Sequence, residues 1–373
     1  MTEPSSSSSS EQSVQQSDFE KIAQMVSSEF QVGNALVEHN VPTFYLKQPQ
    51  ETKQSFLNFL KALKPTGLTA ILRRIDGNVV LRVVPKPPVK SSNILINWLL
   101  LFATVGTTFV TGYLMFGEFL NPIIGGATFS VAIMAILGSH EMSHKLTANR
   151  KGIDATPPYF IPGPPSYGPL LGMGTFGAVI MQKSLPPNRD ALFDVGASGP
   201  IIGFIVAAVA TVIGIPFSPY VWMPKDAATL PIPLLFTVIG SFLSPFGAIP
   251  PYPASALPGD YLLGISLHPV VFAGWVGMIV TMLNILPAAM LDGGHVSRAV
   301  FGEKTARLLT WLSIIYLVFT GFWPMAFFVL FISMSRHPGP LDEVSALSTE
   351  RKVLSVLLVV ILVLCSFPPQ LLF

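Results

Sequence analysis

The chain has 373 residues, of which 50% are hydrophobic and only 11% charged, against about 25% charged in an ordinary soluble protein; this balance excludes a conventional soluble domain and indicates a membrane protein. The formal net charge of +2, without a basic patch interleaved with aromatic residues, argues against nucleic acid as a partner. A single cysteine, Cys365, excludes an internal disulfide.

The N-terminus is polar, with serine at every position from Ser5 to Ser10, and residues 1–17 are expected to form a disordered tail. No cleavable secretory signal is expected, because the first long apolar segment begins near Ile94. An organelle transit peptide is not expected either, since Glu3, Glu11, Asp18 and Glu20 all precede the first arginine, Arg73. Residues 18–88 read as a small α+β domain. "FEKIAQMVSSEF" and "TKQSFLNFLKAL" carry apolar residues at helical spacing, whereas "PTFYLK", "LTAILRRI" and "NVVLRVVP" have the branched and aromatic character of strands. The last two flank Asp76-Gly77-Asn78, a good hairpin turn. The expected role of this domain is regulatory or docking, without chemistry of its own.

Residues 92–373 read as a transmembrane domain. Between Ser92 and Ser139 the only charged residue is Glu118, and none occurs between Tyr261 and Leu291 or after Val353; these are bilayer lengths, since a spanning helix needs roughly 20 apolar residues. The first span is Ile94 to Phe116. Lys86 and Lys90 precede it and Glu118 follows, so the N-terminus is expected in the cytoplasm; the membrane is expected to be the cell membrane. The second, Ile123 to Leu146, returns inward and ends among Lys145, Arg150 and Lys151. "PPYFIPGPPSYGPLLGMGTFGAVIMQ" is too rich in proline and glycine for one helix and too apolar for an ordinary loop. It is expected to form a membrane-associated β-hairpin or re-entrant loop with "GTFGAVIMQ" as a strand. Further spans are Ala191 to Ile215 and Pro269 to Leu286, with Pro231–Pro250 between them dipping in and out or crossing an even number of times. Leu308–Met334, broken by "TGFWP", suits a hairpin of two short helices, and a final span starts at Val353. The expected fold is a mainly α, polytopic transmembrane helix bundle of about six to eight spans.

"GSHEMSHKLTANRK", Gly138 to Lys151, closes the second span. On a helix, His140 and His144 are one turn apart on one face, so both can offer a ring nitrogen to one ion, and His-Glu-x-x-His is a zinc-hydrolase signature. Glu141 projects beside them, placed to accept a proton from an attacking water. His144 lies six residues before Arg150, roughly 9 Å along the helix inside the basic fringe. Incidental histidines at a helix end are the bland alternative, but ionisable residues at this depth are costly and normally functional.

Two histidines do not complete a catalytic zinc site. "HKLTANRKGID" has no third histidine at the metzincin offset, and after Glu141 the next glutamate is Glu303. Aspartate or histidine remains, and in "NILPAAMLDGGHVSR" Asp292 follows 31 residues without a charged side chain. It precedes Arg298 by six residues, as His144 precedes Arg150, so both halves of the site should reach similar depth. Gly293 and Gly294 would let the backbone approach the histidine helix, and Pro287 would end or bend the preceding one. A helix N-cap is the competing, and compatible, reading of Asp292.

The pair "HEMSH" and "NILPAAMLDGGH" resembles the site-2 protease family of intramembrane zinc metalloproteases. "GTFGAVIMQ" followed by "NRDALFDVGASGP", and an N-terminal α+β module, look like its archaeal, cyanobacterial and plastid branch. The likeness covers roughly residues 50–300. It implies that His140, His144 and Asp292 hold zinc, that Glu141 is the general base, and that Asn284 hydrogen-bonds the substrate carbonyl or oxyanion. The family often has Pro-x-Pro before Leu-Asp-Gly, whereas Pro287 is followed here by Ala288 and Ala289. The implied partners are transmembrane protein substrates within the lipid bilayer, cleaved near its cytoplasmic side in regulated intramembrane proteolysis, with the "GTFGAVIMQ" strand pairing with the unwound substrate.

The alternative is a non-proteolytic membrane metal-binding or transport protein, but transporters spread ligands across the membrane and no internal repeat is evident. His295 reads either as a partner of Asp292 or as a solvated helix-end histidine, Asp194 as a cap or polar contact before a ligand, and Gly199-Pro200 as close helix packing or a kink. His39, His268 and His337 receive no role.

Overall fold

The computed structural model describes residues 19–88, 92–117, 120–166, 172–227, 230–254, 259–335 and 337–367. The expected tail and the charges of Lys90 and Glu118 lie outside them. The protein is mainly helical and forms two compact units.

The first unit comprises residues up to Lys90 together with Ser184–Leu192 and Pro338–Ser348. A helix at residues 19–29 (α1) is followed by strands β1 (Val32–Glu38) and β2 (Val41–Leu46), helix α2 (Lys53–Leu63), and strands β3 (Leu68–Ile75) and β4 (Asn78–Pro85). The four-stranded sheet is antiparallel, in the order β1-β2-β4-β3. Its two hairpin turns, His39-Asn40 (φ 51° and 64°) and Asp76-Gly77 (φ 47° and 83°), use the left-handed conformation that matches strand twist. β1 is not among the expected strands: the Gly33-Asn34 pair interrupts its apolar alternation, and tertiary pairing with β2 overrides that weak local signal. Phe44, Phe56, Phe59, Leu63, Leu72 and Leu81 are fully buried between helices and sheet.

The outer edge of β3 is covered. Leu72 N–H donates to Leu341 O (2.9 Å) and Glu343 N–H to Leu72 O (3.2 Å), so residues 341–343 run parallel to β3. Leu341 and Val344 pack on the same core. Fully buried Asp342 holds the segment's turn, its Oδ1 accepting from Val344 N–H (2.9 Å) and Ser345 N–H (3.0 Å) and its Oδ2 from the Ser345 hydroxyl. Arg73–Glu343 (3.1 Å) and Lys53–Asp190 (2.9 Å) ion pairs fasten the two inserted segments.

The second unit contains α3 (Ile94–Phe116), α4 (Pro122–Arg150), strands β5 (Tyr159–Pro162) and β6 (Thr175–Val179), and most of α5 (Arg189–Gly214). It continues with β7 (Tyr220–Pro224), α6 (Leu234–Gly240), β8 (Tyr261–Ile265), α7 (Pro269–Ile285), α8 (Asp292–Phe301), α9 (Glu303–Phe319), α10 (Trp323–Ser333) and α11 (Thr349–Cys365). Three of these helices, α3, α4 and α5, are long and apolar enough to cross a membrane, and α7 and α10 are shorter apolar helices. The seven-residue α6 is too short to cross by itself; β7 and β8 pair on either side of it.

β5 and β6 form the hairpin expected in the proline- and glycine-rich stretch. Span α3 holds it: Asn97 Nδ2 donates to Pro157 O (3.1 Å) and Pro158 O (2.9 Å), and Thr107 Oγ1 donates to Gly174 O (2.6 Å). The Asn97 bonds satisfy two carbonyls of the proline-rich backbone, and the Thr107 bond adds a second donor to Gly174 O, which already accepts from Gly163 N–H (3.0 Å).

Candidate metal centre

His140, Glu141 and His144 lie on α4, and all three are buried. Asp292 reaches the same point from the first residue of α8. Its Oδ2 is 3.1 Å from His140 Nε2 and 3.2 Å from His144 Nε2, and the two Nε2 atoms are 3.2 Å apart. Donors about 2.0–2.1 Å from a tetrahedral ion lie about 3.3–3.4 Å from one another, so the near-equilateral triangle fits a zinc ion bound from one side. The donor chemistry agrees. His144 Nδ1 lies 2.7 Å from Val195 O, and only an N–H can bond a carbonyl, which leaves the Nε2 lone pair of a neutral ring facing the triangle.

Glu141 Oε1 is 3.9 Å from His140 Nε2, and the backbone of Ile180, just beyond β6, lies beside the Glu141 carboxylate. The carboxylate thus sits between the triangle and the end of the β5–β6 hairpin. Asn284 lies one residue from the end of α7, half-buried, and its amide makes no hydrogen bond among the described residues.

The wall behind the histidines is α5. A Cβ on Gly199 would lie 2.0 Å from His144 Nε2 and 2.7 Å from His140 Nε2; one on Gly203 would lie 2.8 Å from His140 Nδ1. Gly199-Pro200 therefore serves close packing, and the surface approached is the imidazole pair itself. Val195, Gly199 and Gly203 were not among the expected site residues, although glycines at 196, 199 and 203 share one helical face, a signal present in the sequence.

Two expectations about the Asp292 segment change. The glycines after Asp292 do not meet α4: a Cβ at Gly293 would be 1.9 Å from Ile285 O and one at Gly294 2.1 Å from Ala289 O, because the loop from Leu286 to Leu291 folds back over the first turn of α8. Asp292 is the first residue of α8 and not its N-cap, which is Leu291. α7 ends at Ile285, before Pro287. Ala289 has φ 46°, a conformation closed to proline, so the second proline of the Pro-x-Pro pattern could not stand here; its N–H donates to Thr310 Oγ1 (3.0 Å).

The remaining candidates are accounted for by packing. Asp194 is an ion-pair centre, 2.6 Å from both Lys151 Nζ and Arg351 Nη2. His295 is bonded to His337, Nδ1 to Nε2 at 2.7 Å, and so is not solvated. His268 caps α7 by accepting from Val270 N–H, and His39 occupies the β1–β2 turn.

A helix pair of histidines met by an aspartate from a second segment, with a carboxylate alongside, is a donor set that could hold a metal ion on apolar helices. The family model of peptidase family M50 matches residues 128–322, over half the chain, and the chain belongs to that family of site-2-type zinc metalloproteases. It is 33% identical over 259 residues to the probable zinc metalloprotease EGY2, chloroplastic, of Arabidopsis thaliana, covering 67% of this chain and 43% of that protein. Against the probable zinc metalloprotease EGY1, chloroplastic, of the same plant, identity is 29% over 257 residues, 67% of this chain and 44% of the relative. Against the probable zinc metallopeptidase EGY3, chloroplastic, it is 30% over 294 residues, 70% and 47% respectively. The chain thus spans less than half the length of these curated relatives. No solved structure matches.

Proposed function

We propose that this chain hydrolyses peptide bonds of transmembrane protein substrates, with His140, His144 and Asp292 as zinc ligands, Glu141 as general base and Asn284 as a donor to the substrate carbonyl. The observation that carries the reading is the triangle of donor atoms 3.1–3.2 Å apart with the Glu141 carboxylate 3.9 Å from one corner. Zinc, when bound there, supplies a Lewis acid that polarises the carbonyl and acidifies water.

The residues of the chain do the rest. Glu141 accepts the proton of the attacking water and hands it to the departing amide nitrogen. Asn284, whose amide makes no other hydrogen bond among the described residues, donates to the carbonyl oxygen as charge develops on it. A helical substrate hides its carbonyls in internal bonds and must unwind before attack; the edge of β6, ending one residue before Ile180, offers an unwound stretch main-chain partners beside Glu141. Burial of the histidines limits water to what the reaction uses.

The membrane arrangement belongs to the same reading. Six to eight segments enter the bilayer of the cell membrane, with α7, the α9–α10 pair and α11 added to α3–α5, and the N-terminal unit faces the cytoplasm with the basic ends of the spans. A non-proteolytic metal-binding or transport protein, the other reading, is not favoured by the family match. Glu141→Gln separates the two. Purified protein incubated with single-span substrates should cleave them only without chelator, and the variant should keep its zinc by elemental analysis while losing cleavage. Cleavage at the parent rate by Glu141→Gln would refute the assignment.

A further inference from the structure

We propose that the cavity enclosed by α8, α9 and α10 binds the phosphate group of an anion, presented at the membrane surface by an anionic phospholipid. The cavity holds about 140 Å³, enough for a phosphate and its first ester oxygens. Arg298 forms its inner wall with only 4% of its side chain exposed, while Arg307 (56%) and Trp311 (52%) stand at its mouth.

The charges lining the cavity are two guanidinium groups and one carboxylate. Glu303 is shared between them, its Oε1 bonded to Arg307 Nη2 at 2.6 Å and its Oε2 3.6 Å from Arg298 Nη2, one carboxylate against two guanidinium groups. The lining thus carries a net positive charge, and the planar fork of arginine matches phosphate oxygens. Exposed hydroxyl-bearing Ser335 stands near the rim. Lipid as the source follows from what flanks the mouth. Leu308, Leu312 and Ile315 continue along α9 with half or more of their surface exposed, a track for acyl chains, and Trp311 is the residue type that settles at the headgroup level. Basic pockets between membrane helices take anionic headgroups on the same principle. Ala289 and Gly294 also line the cavity, so an occupant would brace the loop and first turn that carry Asp292. The binding itself does not depend on peptide hydrolysis.

The test is the thermal unfolding midpoint of the full chain in neutral maltoside micelles with added phosphatidylglycerol, phosphatidylcholine or inorganic phosphate. Phosphatidylglycerol should raise the midpoint by about 3 °C or more, phosphatidylcholine should not, and phosphate alone should raise it less. Arg307→Gln should remove at least half of the rise, Arg307→Lys should restore part of it, and Glu303→Gln should enlarge it by removing the competing carboxylate. A rise as large with phosphate alone, lost in Arg307→Gln, keeps the site and assigns it to free anions. Equal effects of the two lipids, or an undiminished rise in Arg307→Gln and Arg298→Gln, would overturn the proposal. If Arg298→Gln does not fold, the exposed Arg307 and Glu303 variants decide it alone.

Discussion

His144 is clamped to Val195: its Nδ1–H donates to the Val195 carbonyl over 2.7 Å, which turns Nε2 toward Asp292. The clamp works because α5 comes within van der Waals distance of the imidazole pair, and that approach requires glycine at 199. Gly199→Ala would put a methyl 2.0 Å from His144 Nε2, inside the space of the donor triangle. Neither the backbone of α5 nor that of α4 can yield easily in a packed interior. The expected result is zinc content near zero and cleavage down at least about 100-fold, the scale of a 1 Å misplacement. Helical content should stay unchanged by circular dichroism, since alanine favours helix. A fully metallated, active variant would contradict the assignment of α5 as the wall of the site.

The histidine pair was legible because its spacing of four residues is a property of one helix. Asp292 was legible for a different reason, its isolation among 31 uncharged residues. Arg298 does not mark a solvated fringe as the exposed Arg150 does: it is 4% exposed and belongs to a cavity wall. Gly199 reads in the sequence only as a packing or kink position, and Val195 and Gly203 carry no signal of a site, because a carbonyl and the absence of side chains bear no chemical label. β1 was lost behind Gly33-Asn34, and the strap at residues 341–343 was invisible because it pairs with β3 across more than 260 positions of chain. Local periodicity holds no information about such pairing.

The strap makes its own prediction. Residues 19–88 expressed alone would lack residues 184–192 and 338–348, exposing the β3 edge and the core surface that Leu341 and Val344 cover. Open strand edges template association, so the fragment should aggregate, and adding a peptide of residues 338–348 should restore a soluble monomer by size-exclusion chromatography. Asp342→Ala in the full chain should destabilise this unit by about 1–3 kcal/mol, because buried N–H groups of Val344 and Ser345 lose their acceptor. Hydrogen exchange at Leu72 and Glu343 reads that loss directly.

Ala289 carries the backbone strain of the Asp292 loop. At φ 46° an alanine costs about 1–2 kcal/mol relative to glycine. Ala289→Gly should therefore raise stability by up to about 1 kcal/mol, the greater unfolded-state entropy of glycine offsetting part of the relief. Ala289→Pro should do the opposite: the ring forbids the observed φ and deletes the N–H that bonds Thr310 Oγ1. Denaturation of both variants in the same detergent gives the comparison. A proline variant as stable as its parent would mean that the loop adopts another path.

His337, beyond the end of α10, gives the protein a pH dependence of defined sign. Burial, then the neighbouring His295 and Arg298, push its imidazole from the ordinary 6.5 down to about 3. Above pH 6.5 the group is neutral in both folded and unfolded chains and contributes no slope. Between about 6.5 and about 3 the unfolded chain takes up a proton that the folded chain refuses, so stability falls as the pH is lowered through that window. Below it the loss is complete. His337→Gln keeps a polar side chain opposite His295 but removes the titration, so its stability should fall less steeply from pH 6.5 to 4.5 than that of the parent. Acid-titrating groups that do not touch His337 are common to both proteins and cancel in the difference. Parallel profiles for the two, measured by chemical denaturation at several pH values, would show that His337 is not held neutral by its surroundings.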